Sequence, residues 1–336
     1  MTVETRADSP AVTVGRRRRR WVGVLVWGLV APFAVWAVLR LLPADVHFRW
    51  VQLVAFTPYA ALASAVAPIA ALVSRRWTAL VVSLAVSVSL AVCVLPRALP
   101  SGEAAPDGPS LRVLSANLLI GSVPASALVD LVRKLRPDVL TVQELTPQAA
   151  SALDKAGLAR LLPYRTERPR PGVGGSAIYA RHPVTPGQAI EVGGFGQAEA
   201  TVDVPGAGPV GVVSVHPCAP ARPDRHRCWA DGLAALPPPG RTPRVLAGDF
   251  NATLDHAPVR ELLAEGYADA ADATGDGFVT TWPYRPWHFN GFGIPPVTID
   301  HVLTGPGVGV RAFSVHPVPD TDHRAVFAEL VLPRVG

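Results

Sequence analysis

The residues best suited to chemistry sit at the ends of apolar runs. Val245-Leu246-Ala247 leads through Gly248 to Asp249, Phe250 and Asn251. Side chains two positions apart on an extended backbone leave the same face, so Asp249 and Asn251 point together. A carboxylate there can take a proton from water or bind a cation, and a carboxamide can orient a water or a phosphoryl oxygen. The bland reading of the same Gly-Asp-x-Asn pattern is a turn held by its own side-chain hydrogen bonds. Company separates the two readings. Leu111–Ala116 leads into Asn117, Val139–Gln143 into Glu144, Val210–Val215 into His216, and Ile299 into Asp300 and His301. Thr321-Asp322-His323-Arg324 comes just before the last apolar run. Strands that each deliver a metal-competent or acid–base group at one end describe a site where strand ends converge.

The elements that must position these groups are legible as short β-rich runs separated by turns and helices. Candidate strands are Leu111–Ala116, Val139–Gln143, Gly175–Tyr179, Ala200–Val204, Val210–Val215, Arg244–Ala247, Ile299–Thr304 and Val326–Leu332. Leu128, Leu131, Val132 and Leu135 give Ser126–Arg136 a helical period that stops at Pro137, and Pro258–Ala264 reads as a second short helix. This mixture predicts α/β or α+β architecture in one domain of about 225 residues, with no internal repeat.

The ordered set Asn117, Gln143-Glu144, His216, Gly248-Asp249-Phe250-Asn251, Asp300 and Thr321-Asp322-His323 resembles the endonuclease/exonuclease/phosphatase superfamily. The resemblance covers Leu111 to Leu332. It implies an α/β four-layer sandwich, two β-sheets face to face with helices outside, and hydrolysis of a phosphoester by an activated water. It also implies roles. Glu144 would be the principal ligand of Mg²⁺ or Mn²⁺, hard cations that prefer carboxylate oxygen, with Asn117 and Asp322 completing or supporting that metal site. Asp249 would position and deprotonate the water, and Asn251 would hold the water or a phosphate oxygen. His323 would contact the phosphoryl oxygen with its ring oriented by Asp300, and His216 would stand on the other side of the phosphate. One departure touches His216. Relatives often pair that histidine with a carboxylate from an earlier strand, and here Glu167, in a Pro/Arg-rich stretch, is the nearest candidate. That puts a general-acid role for His216 in doubt.

The remaining histidines read blandly. His301 alternates with Asp300 along its strand and should point away, while His182, His226, His256, His288 and His316 read as surface or loop residues. The glycine run Gly172–Gly175 has no Gly-Lys-Ser/Thr continuation and reads as a loop before a strand.

Ahead of the domain the composition changes. Hydrophobic residues make up 49% of the 336-residue chain, and the excess lies within residues 21–100. Trp21–Leu39, Val51–Val73 and Trp77–Pro96 carry no charge, and each has the ~20 residues a helix needs to cross ~30 Å of hydrocarbon. Three transmembrane helices are therefore expected, with Pro32, Pro58 and Pro68 tolerated inside them. A signal peptide would show one short apolar core and a cleavage site. The domain order reads as a basic tail over 1–20, an anchor over 21–96, a linker over 97–110 and the catalytic domain over 111–336. Arg16 to Arg20 alone equal the formal net charge of +5, so no basic nucleic-acid surface is implied for the domain. That block and Arg75-Arg76 act as positive-inside signals, opposed weakly by Arg40, Arg49 and Arg97. Three spans then leave the N-terminus cytoplasmic and the catalytic domain outside the cytoplasmic membrane.

Cys93 lies in the third span, whereas Cys218 and Cys228 follow His216 closely. A zinc pair is open to them, but no second Cys/His pair has metal spacing; export favours a disulfide, contributing about 2–3 kcal/mol. The substrate stays open among nucleic acid, phospholipid and small phosphate ester, as does the choice between phosphodiester and inositol-type phosphomonoester. A linker of about 14 residues reaches at most ~45–50 Å, keeping the site near the outer leaflet of the lipid bilayer. A non-catalytic membrane binding module is the rival from another class, and no protein partner is indicated.

Overall fold

The computed structural model, described over residues 10–45, 47–101, 107–289 and 291–334, begins with a helical part. It comprises α1 (Pro10–Leu41), α2 (Phe48–Val54), α3 (Thr57–Ser64), α4 (Val66–Val73) and α5 (Trp77–Val94). Arg17–Leu41 and Trp77–Ala98 are long and apolar enough to cross a membrane, covering about 37 and 33 Å. The second expected span is not one helix. The chain bends by 69° between Phe48–Val54 and Thr57–Val73. Pro58 has no N–H for the Val54 carbonyl and its ring crowds that carbonyl; Pro68 does the same to Ser64, where α3 gives way to α4. Pro32, by contrast, stays inside α1.

Two compact units result. One joins the chain up to Pro43 with Phe56–Leu95; the other joins Ala44–Ala55 with the chain from Pro96 onward. The second unit thus takes in α2 as well as the expected catalytic domain. Within the first unit Ala67, Ala71 and Ala79 are buried, small enough to let helix backbones approach closely. Ser64 and Ser87 share a hydroxyl hydrogen bond of 3.0 Å, and the Arg76 guanidinium donates to the Arg19 carbonyl. The outward residues of these helices are apolar, among them Leu25, Leu62, Val73 and Val92.

The second unit continues with β1 (Ser110–Asn117), α6 (Ala125–Leu135), β2 (Val139–Gln143), α7 (Pro147–Ala156), β3 (Tyr164–Arg168) and β4 (Ser176–Ala180). Then come β5 (Val184–Pro186), β6 (Ile190–Val192), β7 (Phe195–Gln197), β8 (Glu199–Val204), β9 (Gly208–Val215), α8 (His226–Ala234) and β10 (Arg244–Asp249). The chain closes with α9 (Ala257–Ala264), β11 (Ala268–Asp269), α10 (Ala270–Thr274), β12 (His288–Phe289), β13 (Phe292–Gly293), β14 (Asp300–Thr304), β15 (Gly309–Pro317) and β16 (Arg324–Val331). Eight of these strands and two helices fall within two residues of the positions read from sequence.

Two six-stranded mixed sheets form, ordered β15-β16-β1-β2-β4-β3 and β11-β14-β10-β9-β8-β5. Alternation along the strands builds the layers. Leu111, Val113, Val139 and Ile178 of one sheet meet Val202, Val212, Val245 and Val302 of the other in a shared core. The opposite faces turn outward. Leu114, Leu140 and Tyr179 pack on Leu128 and Val132 of α6 and Leu153 of α7, while Val213, Leu246 and Leu303 pack on Trp229 of α8 and Val259 of α9. Val51 of α2 joins that second outer layer. The result is the expected helix–sheet–sheet–helix sandwich.

Strand direction then gathers the chemistry. β1 runs parallel to β2 and β9 parallel to β10, so all four end at one rim. β14 is antiparallel to β10 with Asp300 opposite Asp249, and β16 is antiparallel to β1, so both begin at that rim.

Candidate active site

All eight residues singled out for catalysis and metal binding meet at this rim, and direct contacts tie them together. Asn117, ending β1, donates through Nδ2 to Asp249 Oδ2 at 3.0 Å and to Glu144 Oε1 at 3.3 Å. Its own Oδ1 accepts from the Leu119 N–H at 2.9 Å. Glu144 leaves β2 at φ +57° and Asn251 follows β10 at φ +49°, both in the left-handed region that costs a side-chain-bearing residue ~1 kcal/mol or more. Ile120, β-branched and at φ +54°, is the sharper outlier, and its N–H donates to Glu144 Oε2 at 2.7 Å. Burial raises the Glu144 carboxyl; the Ile120 and Asn117 donors oppose the shift and nearby Asp322 adds to it.

Asp249 lies at the centre. Its Oδ1 accepts from the Asn251 N–H at 2.8 Å, and its Oδ2 has His216 Nε2 at 3.6 Å and His323 Nε2 at 3.7 Å. Burial raises this carboxyl, while the two imidazoles pull it down. Asn251 fixes the turn after β10, donating through Nδ2 to the Pro217 carbonyl and accepting at its own carbonyl from the Trp229 indole.

The two histidines are held differently. Asp300 accepts from His323 Nδ1 at 2.9 and 3.1 Å, leaving Nε2 facing Asp249 and, at 3.9 Å, Asp322 Oδ1. Burial alone would lower His323, but Asp300 and Asp249 outweigh it and push the imidazolium up to about 10. The ring is a cation at neutral pH. His216 is lowered by burial, with Asp249 opposing, and so is neutral there. Its ring hydrogen-bonds the Val173 backbone, its N–H donates to Gln197 Oε1 at 3.1 Å, and Phe195 packs against it edge-on. Glu167 is not its partner; that carboxylate pairs with Arg165.

The donor set fits a hard cation. Glu144 and Asp322 present carboxylate oxygens, and Asp322 Oδ1 is buried without a hydrogen-bond partner while Oδ2 accepts from the Trp282 indole at 2.9 Å. Asp249, Asp300 and His323 also offer ligand atoms within 4.8 Å of one another. A doubly protonated imidazole has no lone pair to give, however, and His323 Nδ1 is engaged by Asp300, which favours Glu144 and Asp322 as the ligands. Asn117 turns its nitrogen toward the carboxylates, which suits a supporting role.

Several supporting groups lie beyond sequence reading: the Ile120 N–H, the Val173 backbone, Gln197, Trp282 and Thr281, whose hydroxyl accepts from the N–H groups of Ile299 and Asp300. His301 is structural as expected, its Nδ1 2.9 Å from Asp269 and its Nε2 3.0 Å from the Ala252 carbonyl. His256 departs from expectation. It is fully buried, because the Thr253 N–H and the Val51 carbonyl satisfy both ring nitrogens. Cys218 and Cys228 form a disulfide with Cα atoms 5.7 Å apart.

Comparison with known proteins places this geometry. A search of curated proteins gave no match. Among solved structures, humanized D. rerio TDP2 with 14 mutations is similar at 17% identity and a TM-score of 0.51, over 66% of this chain and 98% of that one. An endonuclease/exonuclease/phosphatase from Beutenbergia cavernae is 20% identical at a TM-score of 0.48, over 67% and 72%. Sphingomyelinase C from Streptomyces griseocarneus is 19% identical at 0.43, over 66% and 99%. At such identities only the fold is shared evidence. The Endonuclease/Exonuclease/phosphatase family profile matches residues 114–323, well over half of the chain. That stretch opens inside β1, closes on His323 and encloses all eight converging residues, so the chain belongs to the endonuclease/exonuclease/phosphatase family.

Proposed function

We propose that this chain is a membrane-anchored, divalent-metal-dependent phosphoester hydrolase, with phosphodiesters as its first substrate class. The observation carrying this reading is Asp249, a buried carboxylate flanked at 3.6 and 3.7 Å by a neutral and a cationic imidazole. A base, a fixed cation and a neutral imidazole around one point suit in-line attack of water on phosphorus. Asp249 takes the proton of a water held between it and Asn251. The His323 imidazolium, locked by Asp300, faces the phosphoryl oxygens where negative charge grows. His216, its ring held at the Val173 backbone, presents Nε2 of a neutral imidazole from the other side. Mg²⁺ or Mn²⁺, held by Glu144 and Asp322 with Asn117 behind them, would withdraw charge from a phosphoryl oxygen and from the departing alkoxide.

Exposed aromatics favour a substrate with an apolar or planar half. Trp282 donates to Asp322, and beyond it Phe278, Tyr284 and Trp287 are exposed. The purified full chain should turn over at least one of single-stranded DNA, sphingomyelin or a soluble phosphate monoester with Mg²⁺, and lose that turnover in EDTA. No turnover on any of the three would leave the binding module standing instead.

The same proposal puts three crossings in the membrane and the site outside the cytoplasm. Arg76 donating to the Arg19 carbonyl supports it, since both basic clusters then lie at one end of the helical unit.

A further inference from the structure

Two stretches of chain that adjoin the apolar helices are built into the second unit, and both converge on the loop behind Asp249. The first is Asp45–Val54. Asp45 Oδ2 accepts from the Ala257 N–H at 2.9 Å, capping the start of α9. The Val51 carbonyl lies 3.0 Å from His256 Nε2. Because His256 Nδ1 accepts from the Thr253 N–H at 2.9 Å, the ring proton must sit on Nε2 and is donated to Val51. Gln52 donates to the Pro220 carbonyl, and Trp50, Val51 and Val54 are buried.

The second stretch is Arg97–Ser101. The Arg97 guanidinium grips Asp255 with two hydrogen bonds, 2.9 and 2.8 Å, and Asp255 is fully buried. The Arg97 carbonyl accepts from the Gly277 N–H at 3.1 Å, and Ser101 donates its N–H to the Ala273 carbonyl at 3.1 Å. The fit is close enough to require glycine: a Cβ on Gly277 would stand 2.7 Å from Arg97 Cβ and 2.7 Å from Asp272 Oδ1. Thr253, Asp255, His256 and Ala257, each bound in this way or folded on one that is, follow within six residues of Asn251. Asn251 in turn donates its N–H to Asp249 Oδ1 at 2.8 Å.

We infer that Asp45–Val54 and Arg97–Ser101 form a clamp that positions the active-site loop Asn251–Ala257, so that the catalytic unit is complete only with segments its own apolar region contributes. Arg97 and Asp255 are positioning residues; they touch no substrate and act through Asn251 on Asp249. The catalytic half of this inference rests on the hydrolase reading above, and the docking half does not.

The test uses the full chain with a protease site placed within residues 102–106, cut after purification in detergent. The cut leaves Asp45–Val54 and Arg97–Ser101 on one fragment and Asp249 on the other. Co-elution of the fragments on gel filtration, with kcat within about twofold of the uncut chain, is expected. A catalytic fragment that elutes alone and keeps the uncut kcat overturns the clamp; one that elutes alone and loses kcat upholds the positioning role. If the uncut chain hydrolyses no phosphoester, co-elution still reports on docking, so the two readings fail separately. In the uncut chain, Asp255→Asn should lower kcat on the order of 10- to 100-fold with KM within about twofold, since small displacements of a catalytic group act on turnover. Arg97→Lys should fall between that and wild type, keeping the charge but losing the two-pronged grip. Unchanged kcat in Asp255→Asn overturns the positioning role.

Discussion

At the residue scale the site is a set of competing pulls on Asp249. Burial raises its carboxyl, Asp300 adds to the rise and the imidazoles offset it only in part, so the group is a stronger base than a free carboxylate. Asp249→Asn preserves the shape and the acceptor for the Asn251 N–H but removes the base. It should lower kcat by about 10²–10⁴-fold while leaving the melting temperature within a few degrees, as read by steady-state kinetics and thermal unfolding on one preparation. Retained turnover would take Asp249 out of the role. The groups that type and spacing identify, from Asn117 to His323, are side chains whose chemistry is visible in a one-letter code. Those that support them are largely not. The Ile120 N–H and the Val173 backbone exist at every residue, and only left-handed geometry and loop closure aim them at Glu144 and His216. His256 was unreadable for a related reason: its partners, Thr253 and Val51, lie 3 and 205 residues away, and the second distance leaves no local trace.

At the element scale, periodicity carried the reading where a strand is buried and failed where it is not. Val139–Gln143 is buried along its whole length and was legible to the residue, whereas Tyr164–Arg168 is a half-exposed edge strand of mostly polar residues. α7 was findable: Thr146 accepts the Ala149 N–H at its start, Pro147 follows, and Gly157 closes it in the left-handed region. α10 carries the clearest pH signature outside the site. Burial, with Asp269 nearby, raises the Asp272 carboxyl to about 6, partly offset by Arg97, and its Oδ1 is buried without a hydrogen-bond partner. A carboxyl raised on folding binds its proton more tightly in the native state. Its contribution to stability is therefore whole below the unfolded value of 3.8 and is lost as pH rises through about 6. Asp272→Asn should remove that dependence, flattening the melting temperature between pH 4 and 6 and raising stability at pH 7 by about 1 kcal/mol after solvent screening. A pH profile parallel to wild type would show that Asp272 ionises in the native chain as freely as in the unfolded one.

At the scale of the whole molecule, topology and docking constrain each other. Asp45–Val54 follows α1 and Arg97 follows α5, and both bind the unit that carries the site. They must therefore lie on one side of any bilayer, which requires an even number of crossings between residues 55 and 97. If α5, which is long enough to cross by itself, does cross, the proposed topology needs the bent pair α3–α4 to cross as well; a re-entrant α3–α4 would strand Arg97 on the side opposite Asp45. On the proposed reading α1 would bring the crossings to three, and the arginines before α1 and in the α4–α5 turn would set the cytoplasmic face. A disulfide between Cys218 and Cys228 is at home on the opposite face. Alkaline phosphatase fused after Gly336 should accordingly be active in cells, and a cytoplasm-only fluorescent reporter at the same point should be dark. Reversed signals would mean a cytoplasmic site, and with it either an even number of crossings or an inverted α1. Asp45 variants would separate these, because losing the α3–α4 crossing would put Asp45 on the side opposite Ala257, whereas an inverted α1 would leave that contact intact.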